Sequence, residues 1–194
     1  MKDDLTDYLQ EARDAVLWKL EGLSEYEIRR PMVRTGTNLL GLVKHLASVE
    51  AGYFGGVFGD QFPEVLPWDA EDAEPNADMW ATPDESREFI TDLYRRVWAH
   101  SDRTIASLEI DSTSVVPWWS EARRNVTLHR MLVHVTAETH RHAGHADILR
   151  ELVDGTVGYK PSSPNLPGEI DWVAYRARLE QAALDAENGA SLPD

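Results

Sequence analysis

Apolar residues recur at helical spacing in four long stretches of this chain, and nowhere do they alternate with the period of a strand over a useful length. The first stretch runs from about Leu5 to Gly22, with Leu5, Leu9, Ala12, Val16 and Leu20 on one stripe. The second runs from about Asn38 to Phe54, opened by Thr35 or Thr37 as cap. The third opens at Thr82-Pro83-Asp84-Glu85, where Thr82 suits an N-cap, Pro83 the first helical position and Glu85 a capping box, and continues to about Ser107. The fourth starts near Asn125 or Thr127 and stops at Asp154-Gly155. A fifth pattern, about Ile170 to Glu187, carries Trp172, Tyr175 and Leu179 on one stripe. Four long helices imply an all-α protein built on an antiparallel four-helix bundle, with an additional C-terminal helix and long connecting loops. Residues 1–155 are expected to form the bundle. Residues 156–194, with Pro161, Pro164 and Pro167, are expected to form an extended strap and a helix packed on it. The stripe on that helix serves a homodimer equally well.

Composition narrows the function classes. The 194 residues are 42% hydrophobic and hold no run long enough for a membrane span. The N-terminus MKDDLTDYLQ is acidic and unlike a signal peptide, so a cytoplasmic location is expected. A net charge of -15 repels nucleic acid and anionic membranes. With no cysteine, disulfides and thiolate metal sites are excluded, and any thiol chemistry needs a small-molecule sulfur. Phosphate-binding and nucleophile-elbow motifs are missing, and GGVFGD at 55–60 reads as a turn. Tryptophans at 68, 118 and 119 fall in loops, where they line a pocket or plug a core.

The fourth pattern holds the chemistry. With His134 set at zero on a helical wheel, Glu138 falls at about 40°, His142 at about 80° and His145 at about 20°. Leu128, Met131, Val135, Leu149 and Leu152 share that sector, so four polar side chains lie within the stripe that faces the core. His129 and His140 fall on the opposite, solvated side. Buried polar groups need partners. Two arrangements satisfy them: an internal hydrogen-bond ladder, or a metal gripped by an i, i+4 pair. Both His134–Glu138 and Glu138–His142 have that spacing. In the second pattern His45 stands at the edge of a stripe of Leu39, Leu42, Leu46, Val49 and Tyr53, pointing inward as a third ligand. His100 lies among Arg95, Arg96, Ser101, Asp102 and Arg103, which points to a solvated face. Two imidazoles and one carboxylate leave a tetrahedral metal open to substrate, and suit zinc first, with nickel, iron or manganese as alternatives.

The segments TNLLGLVKHLASVEAGYFG and VPWWSEARRNVTLHRMLVHVTAETHRHAGHADILRELVDG resemble the actinobacterial branch of the DinB/YfiT-like superfamily, with matching order and spacing over roughly residues 5–155. The resemblance implies a four-helix bundle with a three-ligand metal site, one ligand from the second helix and two from the fourth. His45, Glu138 and His142 match those positions, in the Glu-containing pattern of the mycothiol-dependent relatives. Where the superfamily often has Arg-Gly-Gln, this chain has Ala143-Gly144-His145. His145 and His134 are therefore expected to touch the ligands or move a proton rather than bind metal. The function so implied is a metal-dependent S-transferase that conjugates a low-molecular-weight, mycothiol-like thiol to an electrophilic small molecule, a detoxification. Alternatives are a metal-assisted hydrolase and a metal-binding protein without catalysis.

Overall fold

The computed structural model describes residues 1–164 and 166–190. Helices α1 (Lys2–Trp18), α3 (Leu39–Glu50), α4 (Arg87–Ser107) and α5 (Leu128–Asp154) form the bundle, and a short α2 (Glu25–Arg29) lies between the first two. Helix α1 packs along α5, α3 along α4, and α3 also meets α5, which closes the bundle. The stripes anticipated from periodicity make the core. Leu9, Ala12, Val16 and Leu20 are buried, as are Leu39, Leu42 and Leu46, and Leu128, Met131, Val135 and Leu149. This architecture is the all-α bundle expected, with one minimal two-stranded hairpin: β1 (Thr113–Val115) pairs antiparallel with β2 (Asn125–Thr127).

Local chemistry moved three helix boundaries. Helix α3 is capped by Asn38, whose side chain accepts from the Gly41 N–H at 2.8 Å, and not by Thr35 or Thr37. It runs on into a π-turn, Ala51–Gly56. Helix α4 begins after Ser86, not after Thr82. The Glu85 carboxylate does accept the Thr82 N–H at 2.7 Å, but it also takes Lys44 Nζ at 2.8 Å, so this turn is tied to α3 and does not open the helix. Ser86 supplies the cap, accepting from the Phe89 N–H. Helix α2, which the pattern did not reveal, starts with a capping box between Ser24 and Glu27. Helix α5 follows expectation: Thr127 caps it, and Gly155 ends it at φ 77°.

Leu152 and His100 correct the sequence reading. Leu152 is 62% exposed, because Ala146, Leu149 and Arg150 form the buried side of α5 at this end. His100 is 3% exposed and not on a solvated face. Residues 55–81, in the long connection between α3 and α4, fold over it, placing Phe62 edge-on at 5.5 Å and Asp60 Oδ2 at 3.5 Å from Nε2.

A buried ion pair crosses the interior. Arg13 of α1 donates twice to Glu50 of α3, at 3.0 and 2.6 Å, and once to Asp102 of α4 at 2.9 Å. Burial works against the Arg13 charge, but its two carboxylate partners outweigh burial and its pKa is raised. The segment after α5 is held where Lys19 Nζ donates to the Gly158 carbonyl and Tyr159 packs on the core. Helix α6 (Trp172–Ala190) then leaves Trp172, Val173, Tyr175, Leu179 and Leu184 exposed to solvent. Among the described residues, no helix is long and apolar enough to cross a membrane.

Candidate metal centre

Helices α3 and α5 meet with His45 facing Glu138 and His142. One donor atom from each lies within 4.8 Å of the other two, a grouping able to hold a metal ion. The i, i+4 spacing on α5 puts His142 Nε2 3.1 Å from Glu138 Oε1. Tetrahedral donors about 2.1 Å from one ion stand about 3.4 Å apart, so this pair is already near ligand spacing. The His45 and His142 rings meet edge to face, with centroids 4.9 Å apart. Burial, and next the neighbouring His45, push the His142 pKa down, while Glu138 pulls it up. The net result favours neutral imidazole, the form that binds metal. Two nitrogens and a carboxylate oxygen without thiolate suit a divalent transition metal.

The partner of His45 comes from a loop. Asp78 Oδ2 stands 2.6 Å from His45 Nδ1, which leaves Nε2 as the nitrogen free to coordinate. Asp78 belongs to a single 3₁₀ turn, Ala77–Met79, and this turn is clamped onto α3. Gly41 permits the approach, since a methyl group there would overlap the Met79 carbonyl. Asn38 Nδ2 donates to that same carbonyl at 3.3 Å. Lys44, nearly fully buried, donates to the Trp80 carbonyl at 2.9 Å and lies over the Trp68 ring. Sequence reasoning missed Asp78. It is one acid among many in a long acidic loop, and no spacing relates it to His45.

The remaining histidines separate clearly. His145, exposed, has Nδ1 3.3 Å from His142 Nδ1 and so touches the cluster from outside. His134 is not among the three grouped donors. Its ring packs edge-on against Tyr53 at 4.9 Å and Trp119 at 5.0 Å. Burial lowers its pKa, with Glu138 opposing. The Trp118 and Trp119 indoles both donate to the Tyr53 hydroxyl, at 3.4 and 3.0 Å, which ties these rings into an aromatic cluster around His134. Trp68, by contrast, is buried. His129 is exposed, as its place on the wheel implies, whereas His140 is half-buried and stacks on Tyr159.

Comparison with known proteins agrees with this architecture. A conserved protein from Enterococcus faecalis of known crystal structure superposes with a TM-score of 0.61 at 16% identity, over 80% of this chain and 98% of its own, which establishes the shared fold. No curated protein matches the chain. Residues 4–155, spanning the whole bundle and all three converging donors, match the family model described as Mycothiol-S-transferase. On that match the chain belongs to the mycothiol S-transferase family, within the DinB/YfiT-like fold.

Proposed function

We propose that this protein is a metal-dependent S-transferase that joins a low-molecular-weight thiol of the mycothiol kind to an electrophilic small molecule. One observation carries the reading: His45, Glu138 and His142, from two helices, bring their donor atoms within 4.8 Å of one another in a family of thiol transferases. These three residues would hold the cation, zinc being the choice that best suits their chemistry. A divalent cation bound there would favour the thiolate form of an incoming thiol and so supply a nucleophile near neutral pH.

The protein's own groups do the rest. Asp78 accepts the His45 Nδ1–H and fixes that ring's tautomer, so Nε2 presents its lone pair. Glu138 contributes one negative charge to offset the cation. His145, against His142 at the rim, is placed to carry away the proton that the thiol releases. The sulfur then forms a bond to carbon while the bond to the leaving group or epoxide oxygen breaks, and the displaced atom takes the electron pair. No redox partner is required. The chain contains no cysteine, so no protein thiol competes for the cation or the electrophile.

The test is thiol-dependent conjugation of a reactive epoxide or halide by purified protein with and without added zinc, nickel, iron or manganese. Turnover should need both thiol and metal and should vanish in His45→Ala. Turnover that continues without thiol would identify a hydrolase instead. A protein that binds metal tightly but never turns over would be a non-catalytic binder.

A further inference from the structure

Helix α6 opens on a cap, the Asp171 carboxylate accepting the Ala174 N–H at 3.0 Å. From Trp172 to Gly189 every residue of it is exposed. Helices in proteins draw most of their stability from packing an apolar stripe, and here the stripe is left open to solvent. In steps of three and four it reads Trp172, Tyr175, Leu179, Ala182, Ala186 and Gly189, the a and d positions of a heptad repeat. Val173 and Leu184 fall on the other side of the helix. Two gradients run along α6. Large seam residues come first and small ones last. Arg176 and Arg178 stand in the first half, Asp185 and Glu187 in the second. That charge order opposes the helix's own dipole, which favours acids near the N-terminus and bases near the C-terminus. Both gradients lack a reason within one helix, and both are met by the same helix running the other way.

We propose that α6 is the docking surface for α6 of a second copy, paired antiparallel in one register. Trp172 then lies against the partner's Gly189, Tyr175 against the partner's Ala186 and Leu179 against the partner's Ala182. Each layer joins a large side chain to a small one, which fills a seam without voids or overlap. A parallel pair instead sets tryptophan against tryptophan at 172 and alanine against alanine at 182 and 186. The antiparallel register also brings Arg178, flanking the seam, beside the partner's Asp185, and two-fold symmetry makes that pair twice. Charge favours this stretch for self-association as well. Two arginines nearly balance Glu180, Asp185 and Glu187 on α6, whereas the whole chain carries -15 and two copies repel elsewhere. Every layer and the ion pair come from α6 itself, so the occupant is a second copy and not a partner of foreign sequence. This interface is independent of the thiol-transfer reading.

Sedimentation equilibrium of the full chain, from micromolar to millimolar concentration, should show monomer and dimer in exchange. Leu179→Glu should abolish the dimer, while Leu184→Gln, off the seam, should leave it unchanged. Arg178→Glu and Asp185→Arg each turn two attractions into two repulsions, and each alone should raise the dimer dissociation constant by about tenfold or more. An equimolar mixture of these two variants should associate as well as the wild type, because each then meets opposite charge. All these positions are exposed, and circular dichroism checks that the variants stay folded. Orientation is read by cross-linking, since the chain has no cysteine of its own. Tyr175→Cys mixed with Ala186→Cys should form a disulfide under mild oxidation. Neither should do so alone, because like positions then stand about 16 Å apart along the pair, beyond the reach of a disulfide. A wild type that stays monomeric, whether α6 is bare or folds back on its own bundle, overturns the proposal. A dimer that survives Leu179→Glu lies on another face and overturns it too. So does self-linking of Tyr175→Cys, the mark of a parallel pair.

Discussion

Asp78 Oδ2 lies 2.6 Å from His45 Nδ1, so a loop carboxylate decides which nitrogen of a helix histidine is left free to face Glu138 and His142. A carboxylate in this position holds the ring's orientation and tautomer. Asp78→Asn keeps the shape but weakens the interaction. It should reduce metal affinity by about 10- to 100-fold, measured by competition with a chromogenic chelator, while the helical circular dichroism stays that of the wild type.

The three converging donors lead to a sharper expectation. His45→Ala and His142→Ala should each abolish stoichiometric metal binding, and Glu138→Gln should weaken it strongly, as read by metal analysis after gel filtration. His134→Ala should leave metal content intact, since that ring packs against Tyr53 and Trp119 and is not among the donors. Metal lost from His134→Ala and retained in His45→Ala would reverse the assignment.

Gly41 is where the Asp78 loop reaches α3. A methyl group there overlaps the Met79 carbonyl, and backbone cannot swing aside as a side-chain tip can. Gly41→Ala should cost about 1–3 kcal/mol by chemical denaturation, the range for an overpacked site. It should also lower metal affinity, because displacing the loop carries Asp78 away from His45.

The Arg13–Glu50 pair makes a prediction about stability alone. Both side chains are fully buried. Arg13→Ala strands the Glu50 charge and should cost about 3–5 kcal/mol, seen as a lower midpoint in urea. Replacing both partners with apolar residues of similar size, Arg13→Met with Glu50→Leu, should recover most of that loss, since the one charge then left without its partner, Asp102, is 45% exposed and solvated.

The end of α5 carries a pH signature. Bonding to Arg150, and less so to the Thr156 N–H, lowers the Asp154 pKa from 3.8 to about 2. A lowered carboxylate pKa means that the unfolded chain binds protons first as pH falls. The stabilisation is therefore complete above about pH 4 and fades as pH drops toward 2. Asp154→Asn should lower the unfolding midpoint at pH 7, and the gap from the wild type should narrow as pH falls through that window.

Periodicity in the sequence was enough to set out the bundle and to put the three converging side chains on inward-facing stripes. A helix advances by a constant angle per residue, so Glu138 and His142 had to share a face with Met131, Val135 and Leu149, and His45 had to lean toward the interior. Those relations are local and survive any arrangement of the other helices. The tertiary structure alone decided the rest. Asp78 meets His45 only because Gly41 lets a loop backbone lie against α3, with Asn38 and Lys44 holding it there. Glu85 makes the expected bond to the Thr82 N–H, yet the helix opens only after Ser86, and the same carboxylate oxygen also binds Lys44 of α3. His100 became buried because residues 55–81 folded over an otherwise charged stretch of α4. Each of these depends on contact between segments far apart in the chain, and residue spacing carries no information about which loop will cover which helix.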